Sequence, residues 1–366
     1  MHLAHLSLVN FKNYHQGEFD FSADVNCLVG DNGSGKTTVL DAVHYLSFCK
    51  SYFNPMDSQN VRHGEDFFVI QGDFEVDGET DKVHCGVKPG QKKSFKRNGK
   101  EYDRLAEHIG RFPAVIITPN DADLIREGSE VRRKLINGII SQYNRAYLHD
   151  VMQYNKALSQ RNNLLKHFFA ERRFDAESLE IWDVQLAELG DRIAAERAKF
   201  MAEFQPLFAE FYTAISGGNE TCSVALNTKV GEQSMGQLLA VSQHKDRSAQ
   251  RTTQGIHRDD LELLIDGHPI KKFGSQGQQK SLLIALKLAQ FEFVKAACGR
   301  KPLLLLDDIF DKIDDKRVGY LMQLVSENRF GQIFVTDTHA RRVPELFGHV
   351  DCELRIFEIT PETTGI

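Results

Sequence analysis

Apolar residues change their spacing twice along this chain of 366 residues. Near the start they fall in short runs. Leu3 to Phe11 alternates loosely, and Val25 to Val29 is an apolar stretch that ends on a glycine. Phe67 to Val76 and Asp81 to Val87 read as strands flanked by Asp/Gly turns, with Asp77-Gly78 as a hairpin signal. Val115 to Thr118 is a β-branched run closed by Pro119. The middle then changes period. From Ser129, which is placed to cap a helix, apolar side chains recur at Val131, Leu135, Ile139, Tyr143, Tyr147, Val151, Tyr154 and Leu158, nearly every fourth position. A polar break from Glu171 to Ser178 follows. Leu179, Trp182, Leu186, Leu189, Ile193, Phe200, Phe204, Phe208, Phe211 and Ile215 then form a heptad-like seam that ends at Ser216-Gly217-Gly218-Asn219. Two long helices around a short break predict an antiparallel hairpin. At about 1.5 Å per residue, ~40 residues make an arm about 60 Å long. The alternative is an ordinary helical subdomain with no reach. Strands and helices resume after the seam.

Size and composition narrow the class. At about 150 residues per domain the length suggests two domains or three. The apolar share of 41% suffices for a sizeable core. No apolar run approaches the ~18 residues of a membrane span, and the N-terminus lacks the basic start and apolar stretch of a signal peptide. The cysteines at 27, 49, 85, 222, 298 and 352 are scattered with no Cys-x-x-Cys pair. That fits a reducing, cytoplasmic setting rather than a disulfide framework or a zinc site. The net charge of -6 argues mildly against nucleic acid, but binding depends on local fields. Lys88 to Arg104 is locally basic and includes Lys92, Lys93 and Lys96. Arg126 to Arg173 carries ten Lys/Arg against four Asp/Glu and includes Arg132, Arg133 and Lys134. Each run is either a solvated face or a phosphate-backbone contact.

Gly30-Asp31-Asn32-Gly33-Ser34-Gly35-Lys36-Thr37 fits G-x-x-x-x-G-K-[ST] between an apolar strand and a helix-like run that begins at Thr38. Its glycines let backbone N–H groups curl around phosphates, and the helix N-terminus adds a positive dipole. Lys36 is placed to neutralise the β- and γ-phosphates of ATP, and Thr37 offers a hydroxyl to Mg2+. Leu303 to Leu306 followed by Asp307-Asp308 supplies the acidic strand end that a P-loop needs. Asp307 should hold the magnesium through its hydration shell, and Asp308 should orient the attacking water. Between the two lies Ser275-Gln276-Gly277-Gln278 at the head of another helix-like run, a second anion site.

Ser275 to Gln278 resembles the signature motif of ABC ATPases, which caps the γ-phosphate bound by the opposite subunit. Asp314, in Ile309 to Asp314, resembles the D-loop residue at that dimer interface. The 271 residues from Lys36 to Asp307 (307 − 36) are more than a transporter nucleotide domain or a small P-loop kinase has room for, and SMC proteins insert far longer arms. Across nearly its whole length the chain is similar to the RecF family of recombination-mediator ATPases. The resemblance rests on Leu8 to Tyr14, on Ser129 to Lys166, and on Gly255-Ile256-His257-Arg258-Asp259-Asp260 followed by Gly274 to Lys280. The family usually has proline where this chain has Ile256, and a basic residue near Phe53. The switch histidine of ABC proteins falls at Asp337 by position, while His339 lies two residues further on.

The resemblance implies an α/β fold: an ABC-type P-loop ATPase head with a mixed sheet, plus an inserted all-helical antiparallel arm. The expected division is head over 1–118, arm over 119–216 and head again over 217–366. It further implies an ATP-driven homodimer on double-stranded DNA near single-strand gaps, working with RecO and RecR to load the recombinase RecA. His257 to Asp260 reads either as a salt-bridged structural turn or as a site near the nucleotide. A small-molecule phosphotransferase and an SMC-like tether are the competing functions. The signature-like motif counts against the first, and the short arm against the second.

Overall fold

The computed structural model describes residues 1–218, 220–309, 315–339, 342–348 and 350–360. The chain forms two compact units, residues 1–121 with 286–366, and residues 122–285. The first unit opens with β1 (His2–Phe11), β2 (Tyr14–Asp20), β3 (Val25–Val29), α1 (Lys36–Phe48), β4 (Phe68–Val76), β5 (Glu79–Val87), β6 (Ser94–Arg97), β7 (Lys100–Glu101) and β8 (Ala114–Ile117). The second holds α2 (Asp123–Arg126), α3 (Ser129–Tyr143), α4 (Arg145–Ala170), α5 (Ala176–Ser216), β9 (Cys222–Asn227), α6 (Met235–Ala249), β10 (Asp260–Ile265), β11 (His268–Pro269) and α7 (Ile270–Phe273). The chain returns through α8 (Gln276–Cys298) to β12 (Leu303–Leu306), α9 (Asp315–Ser326), β13 (Ile333–Asp337), α10 (Arg342–Phe347) and β14 (Leu354–Glu358). No described helix is long and apolar enough to cross a membrane.

The first unit is built on two sheets. One is antiparallel, in the order β2-β1-β4-β5-β6-β7; the other is parallel, in the order β14-β3-β13-β12-β8. The loose alternation of β1 has a cause: its pairing with β4 shifts register between Leu3 and His5. A bulge there brings Leu3 and Leu6, an odd spacing apart, into the same core. At the β4–β5 hairpin Asp77 and Gly78 both have positive φ, 54° and 87°, as a tight two-residue turn requires. Helix α1 contacts both sheets and is buried on nearly every side. Val39, Leu40, Val43 and Leu46 pack among Phe11, Phe68, Phe74, Phe112 and Phe334. Each such side chain contributes about 1.5–3 kcal/mol on burial, so the helix that carries the P-loop is held rigidly.

The second unit differs from expectation in three ways. First, the continuous periodicity from Ser129 to Leu158 is broken. Asn144 ends α3 and caps α4, its side chain accepting from Tyr147 N at 2.9 Å. A cap side chain that satisfies a free N–H outweighs the periodic pattern. Second, α4 and α5 do run antiparallel, as the cross-pairs Arg161–Asp183, Asp150–Arg192 and Tyr147–Arg197 show. However, α5 is buried at intervals from Leu179 to Ile215 and packs on α4, α6 and β9. Over that whole length it is a subdomain helix covered by its own unit. Third, residues 220–285 join this unit rather than the ATPase head expected over 217–366, because β9 and α6 pack on α5 and β10 packs on α3.

Two arginines lie in the second unit's interior. Arg161 reaches Asp183, Asp246 and Thr252, and Arg197 reaches Asp259, Asn137, Tyr147 and the Ile256 carbonyl. Guanidinium groups this deeply buried persist only when almost every N–H is matched.

His108 gives the first unit a pH-sensitive joint. Its Nε2 lies 2.6 Å from the Leu46 carbonyl and its Nδ1 3.1 Å from the Tyr102 hydroxyl. The carbonyl only accepts, so Nε2 carries the proton and Nδ1 accepts from the tyrosine. Burial pulls this ring down to about 4 from 6.5. The folded chain keeps it neutral to about pH 4, whereas the unfolded chain takes up a proton near 6.5. Stability is therefore lost as pH falls from 6.5 towards 4, by an amount on the order of 1–2 kcal/mol at pH 5. His108→Gln, which keeps a donor for Leu46, should flatten that dependence. Urea midpoints at pH 7 and 5 measure it, and equal pH slopes in both proteins would refute the assignment.

Candidate nucleotide site

The P-loop leaves the C-terminal end of β3 and enters α1. Gly30, Gly33 and Gly35 have φ of 155°, 82° and 113°. At Gly30 an added Cβ would fall 2.3 Å from the Ile359 carbonyl oxygen, so only glycine fits. Asp31 and Asn32 are exposed on the loop. Lys36 Nζ folds back onto the Gly30 and Asp31 carbonyls, at 2.7 and 2.9 Å, and closes the loop into a ring. The N-terminus of α1 has no side-chain cap and no acidic residue in its first turn, and the buried Ser34 Oγ has no partner among the described residues. Unsatisfied donors around a lysine make a cradle that fits a polyphosphate.

Strand β13 lies between β3 and β12, yet the two motifs meet at the strand ends. Thr37 Oγ1 donates to Asp307 Oδ1 at 2.8 Å. A hydroxyl and a carboxylate so placed fit one hydrated divalent cation. Burial pushes the Asp307 carboxyl up, opposed by hydrogen bonds from Thr37 and Thr336. Asp308 leaves the strand with φ of 45° and is only partly buried, so its carboxylate stands at the rim. Thr38 Oγ1 donates to Asn13 Oδ1 at 2.7 Å, tying the P-loop helix to the β1–β2 turn.

In the second unit, Ser275 caps α8 reciprocally. Its Oγ accepts from Gln278 N at 3.2 Å, and its own N–H donates to Gln278 Oε1 at 2.7 Å. Gln278 is held further by Glu220, while Ser275 and Gln276 are exposed at this 23-residue helix's start. An exposed helix N-terminus with a serine cap suits an anion that approaches from outside.

The family model described as RecF/RecN/SMC N terminal domain matches residues 2–352. A "DNA replication and repair protein RecF" of Flavobacterium johnsoniae is 49% identical over 359 residues, covering 98% of this chain and all of the relative. One of Phocaeicola vulgatus is 47% identical over 98% of this chain and 96% of its own. The chain belongs to the RecF family. The solved RecF-ATPrS structure of the RecFOR pathway superposes with a TM-score of 0.87 at 31% identity, over 97% of this chain and 96% of that one. An Smc head bound to the C-winged helix domain of ScpA gives 0.55 at 16% identity, over 93% and 90%, a likeness of fold alone. The fold of this RecF-family chain is thus that of the ABC-type P-loop ATPase heads.

The Gly255 to Asp260 motif of this RecF-family chain forms a structural node. His257 lies 2.8 Å from the Tyr154 hydroxyl, Asp259 pairs with Arg197 at 2.6 Å, and Asp260 takes the Arg132 fork at 2.6 and 2.9 Å. Gly255, at φ of 125°, leaves no room for a Cβ beside Met235 and Tyr154. Several of the candidate DNA-contact cations have partners within the chain. Arg132 is held by Asp260 and by the Leu124 and Glu127 carbonyls, and Arg133 by Ser129 and the Asp259 carbonyl. Lys93 pairs with Asp57 and the Cys49 carbonyl beneath the Tyr45 ring. These three are internal braces rather than free cations, because a guanidinium or ammonium in a partly buried setting takes every nearby acceptor. Lys92 is exposed, Lys96 partly so, and Lys134 is exposed beside Glu130.

The D-loop residue Asp314 lies outside the described residues. His339 is exposed, its N–H donating to Asp337 Oδ1 at 2.7 Å, so a short turn separates it from the buried end of β13. Two residues of the site were not anticipated, Asn13 and Thr336. Thr336 had a signal: like Asp307, it is a polar residue at the C-terminal end of an apolar run.

Arg132→Ala should lower stability by roughly 1–3 kcal/mol, since it leaves Asp260 unpaired. Arg132→Lys should recover only part of that, having no planar fork for both carboxylate oxygens. Thermal unfolding of the two variants tests this; equal midpoints to the parent would show the pair to be dispensable.

Proposed function

We propose that this chain is an ATP-driven switch that hydrolyses ATP slowly and binds double-stranded DNA as a homodimer in the repair of single-strand gaps. The observation that carries the reading is the meeting of Thr37 and Asp307, 2.8 Å apart. It brings a phosphate cradle and a cation-binding carboxylate to one point. Gly30 to Thr38 would hold ATP, with Lys36 on the β- and γ-phosphates. Thr37 and Asp307 would hold Mg2+, directly and through water. The ion would supply charge neutralisation at the phosphates. Asp308 would orient and deprotonate the attacking water. Ser275 to Gln278 would cap the γ-phosphate in the partner's site, so that turnover requires two chains. The RecFOR context of the solved relatives supports RecO and RecR as partners; RecA loading as the outcome and the cytoplasm as the setting belong to the same proposal.

Nucleotide and dimer assignments separate by mutation. Lys36→Ala should lose ATP binding and dimerisation together. Asp308→Asn should bind ATP and accumulate as a dimer with turnover down at least tenfold; asparagine tolerates the left-handed backbone at this position. Ser275→Arg should bind ATP as a monomer but neither dimerise nor hydrolyse it. Light scattering with ATP, beside phosphate release, reads all three. Wild-type turnover in Asp308→Asn, or monomer affinity in Ser275→Arg as poor as in Lys36→Ala, would overturn the model.

For DNA, the lysines with solvent access are the test. Removing charge at Lys92, Lys96 and Lys134 should weaken duplex binding without altering sequence preference. It should flatten the slope of log affinity against log salt by about 0.9 per lost contact. ATP-dependent dimerisation should persist. A salt series with labelled gapped duplex measures this, and unchanged slope and affinity would place the contacts elsewhere.

A further inference from the structure

One side chain at the strand ends touches both acidic residues and has no role in the scheme above. Thr336 is the second-to-last residue of β13 and is fully buried. Strand β13 pairs with β12 on one side, Val335 opposite Leu306, and with β3 on the other, Thr336 opposite Leu28. Thr336 therefore stands one step beyond Leu306, level with Asp307.

Its hydroxyl is used in both directions. Asp308 turns out of the strand at φ of 45°, and its N–H donates to Thr336 Oγ1 at 2.8 Å. The hydroxyl proton goes to Asp307 Oδ1 at 3.0 Å, in preference to Asp308 Oδ1 at 3.4 Å. Asp307 Oδ1 thus receives two hydroxyls, from Thr37 and from Thr336. Among the described residues, none is hydrogen-bonded to Oδ2. A valine would fill the same volume and offer neither bond, and a serine would offer both.

We infer that Thr336 is a positioning residue for the ATPase reaction: it fixes the Asp307 carboxylate for the metal's hydration shell and holds the Asp308 backbone in the turn that presents its side chain. This rests on the reading of Asp307 and Asp308 given above. Thr37 has a second task, since its hydroxyl is the one offered to magnesium. The Thr336 hydroxyl is not offered to the cation, so its bond to Asp307 is the contact that persists when Thr37 turns to the cation. P-loop contacts to the phosphates do not involve Thr336. Its loss should therefore act on metal and turnover, and spare metal-free nucleotide binding.

The experiment compares Thr336→Val, Thr336→Ala and Thr336→Ser with the parent protein. Three quantities are read: affinity for a fluorescent ATP analogue in EDTA, Mn2+ affinity of the ADP complex by electron paramagnetic resonance, and the Mg2+ dependence of phosphate release. Thr336→Val and Thr336→Ala should keep metal-free nucleotide affinity within about twofold. Both should weaken Mn2+ binding and lower kcat roughly tenfold or more, the loss of a hydrogen bond to a charged group. Thr336→Ser should restore both. Should the valine variant fail to fold, the serine and alanine pair carries the comparison. Parent-like Mn2+ affinity and kcat in Thr336→Ala, or a serine variant as impaired as alanine, would overturn the inference. A parent protein that releases no phosphate would instead overturn the ATPase reading; the Mn2+ measurement would still decide Thr336.

Discussion

Parallel pairing of β3, β13 and β12 in one register is the constraint on which the site depends. Neighbouring strands lie about 4.8 Å apart, so three C-terminal ends fall within roughly 10 Å of one another. The P-loop leaves the first, Thr336 stands one residue before the end of the second, and Asp307 follows directly on the third. Hydroxyls from the first two then converge on one carboxylate oxygen of the third. A slip of one residue in either pairing would turn Thr336 or Asp307 to the other face. The sheet's interior is apolar, and α1 packs against both it and the antiparallel sheet. The rigidity of the core thus passes directly to the geometry of the cradle.

Parallel strands need long crossovers, and here the crossover between β8 and β12 contains the whole second unit. The chain leaves the first unit at Asp121 and returns at Leu286. At these points Lys287, deeply buried, pairs with Asp121 at 2.7 Å and donates to the Ile116 carbonyl at 2.9 Å. The nearby Asp121 carboxylate favours the charged lysine over the cost of its burial, so Lys287 stays protonated. Tyr52 adds a hydrogen bond to the same carboxylate, and its N–H donates to Asp41 of α1. The outgoing and returning segments are therefore fastened to each other, and to the helix of the P-loop, by one buried polar chain. Such a chain favours one arrangement more than it adds stability, because each member is costly if unmatched.

The second unit follows the same logic at Arg197. Its guanidinium joins α3, α4, α5 and the Gly255 to Asp260 segment. That explains why this charge-rich motif is mostly internal. His257, Asp259 and Asp260 each have a fixed partner, whereas Arg258 is exposed. A motif rich in charge is read from sequence as chemistry; in the fold its charges brace one loop against two helices.

The sequence by itself determined those features that depend on neighbours along the chain. Glycines at 30, 33 and 35 before Lys36 require a left-handed, phosphate-sized loop wherever the chain goes. Val25 to Val29 and Leu303 to Leu306 are short, largely apolar runs bounded by turn residues, the pattern of buried strands. The period of four through the middle required helices, and the Asp77-Gly78 turn required a hairpin. Family membership followed from the same local motifs. What only the tertiary structure decided depends on groups distant in sequence. The break at Asn144 competes with a periodicity that runs through it, and a side-chain cap settles that competition. The cover over α5 comes from β9 and α6, so an apparent arm is a packed subdomain. Arg132, Arg133 and Lys93 look like free cations in a list of residues, and only the positions of Asp260, Asp259 and Asp57 show them to be paired. Thr336 stayed hidden for the same reason. A hydroxyl acquires a role from the two groups it touches, and both belong to a different strand.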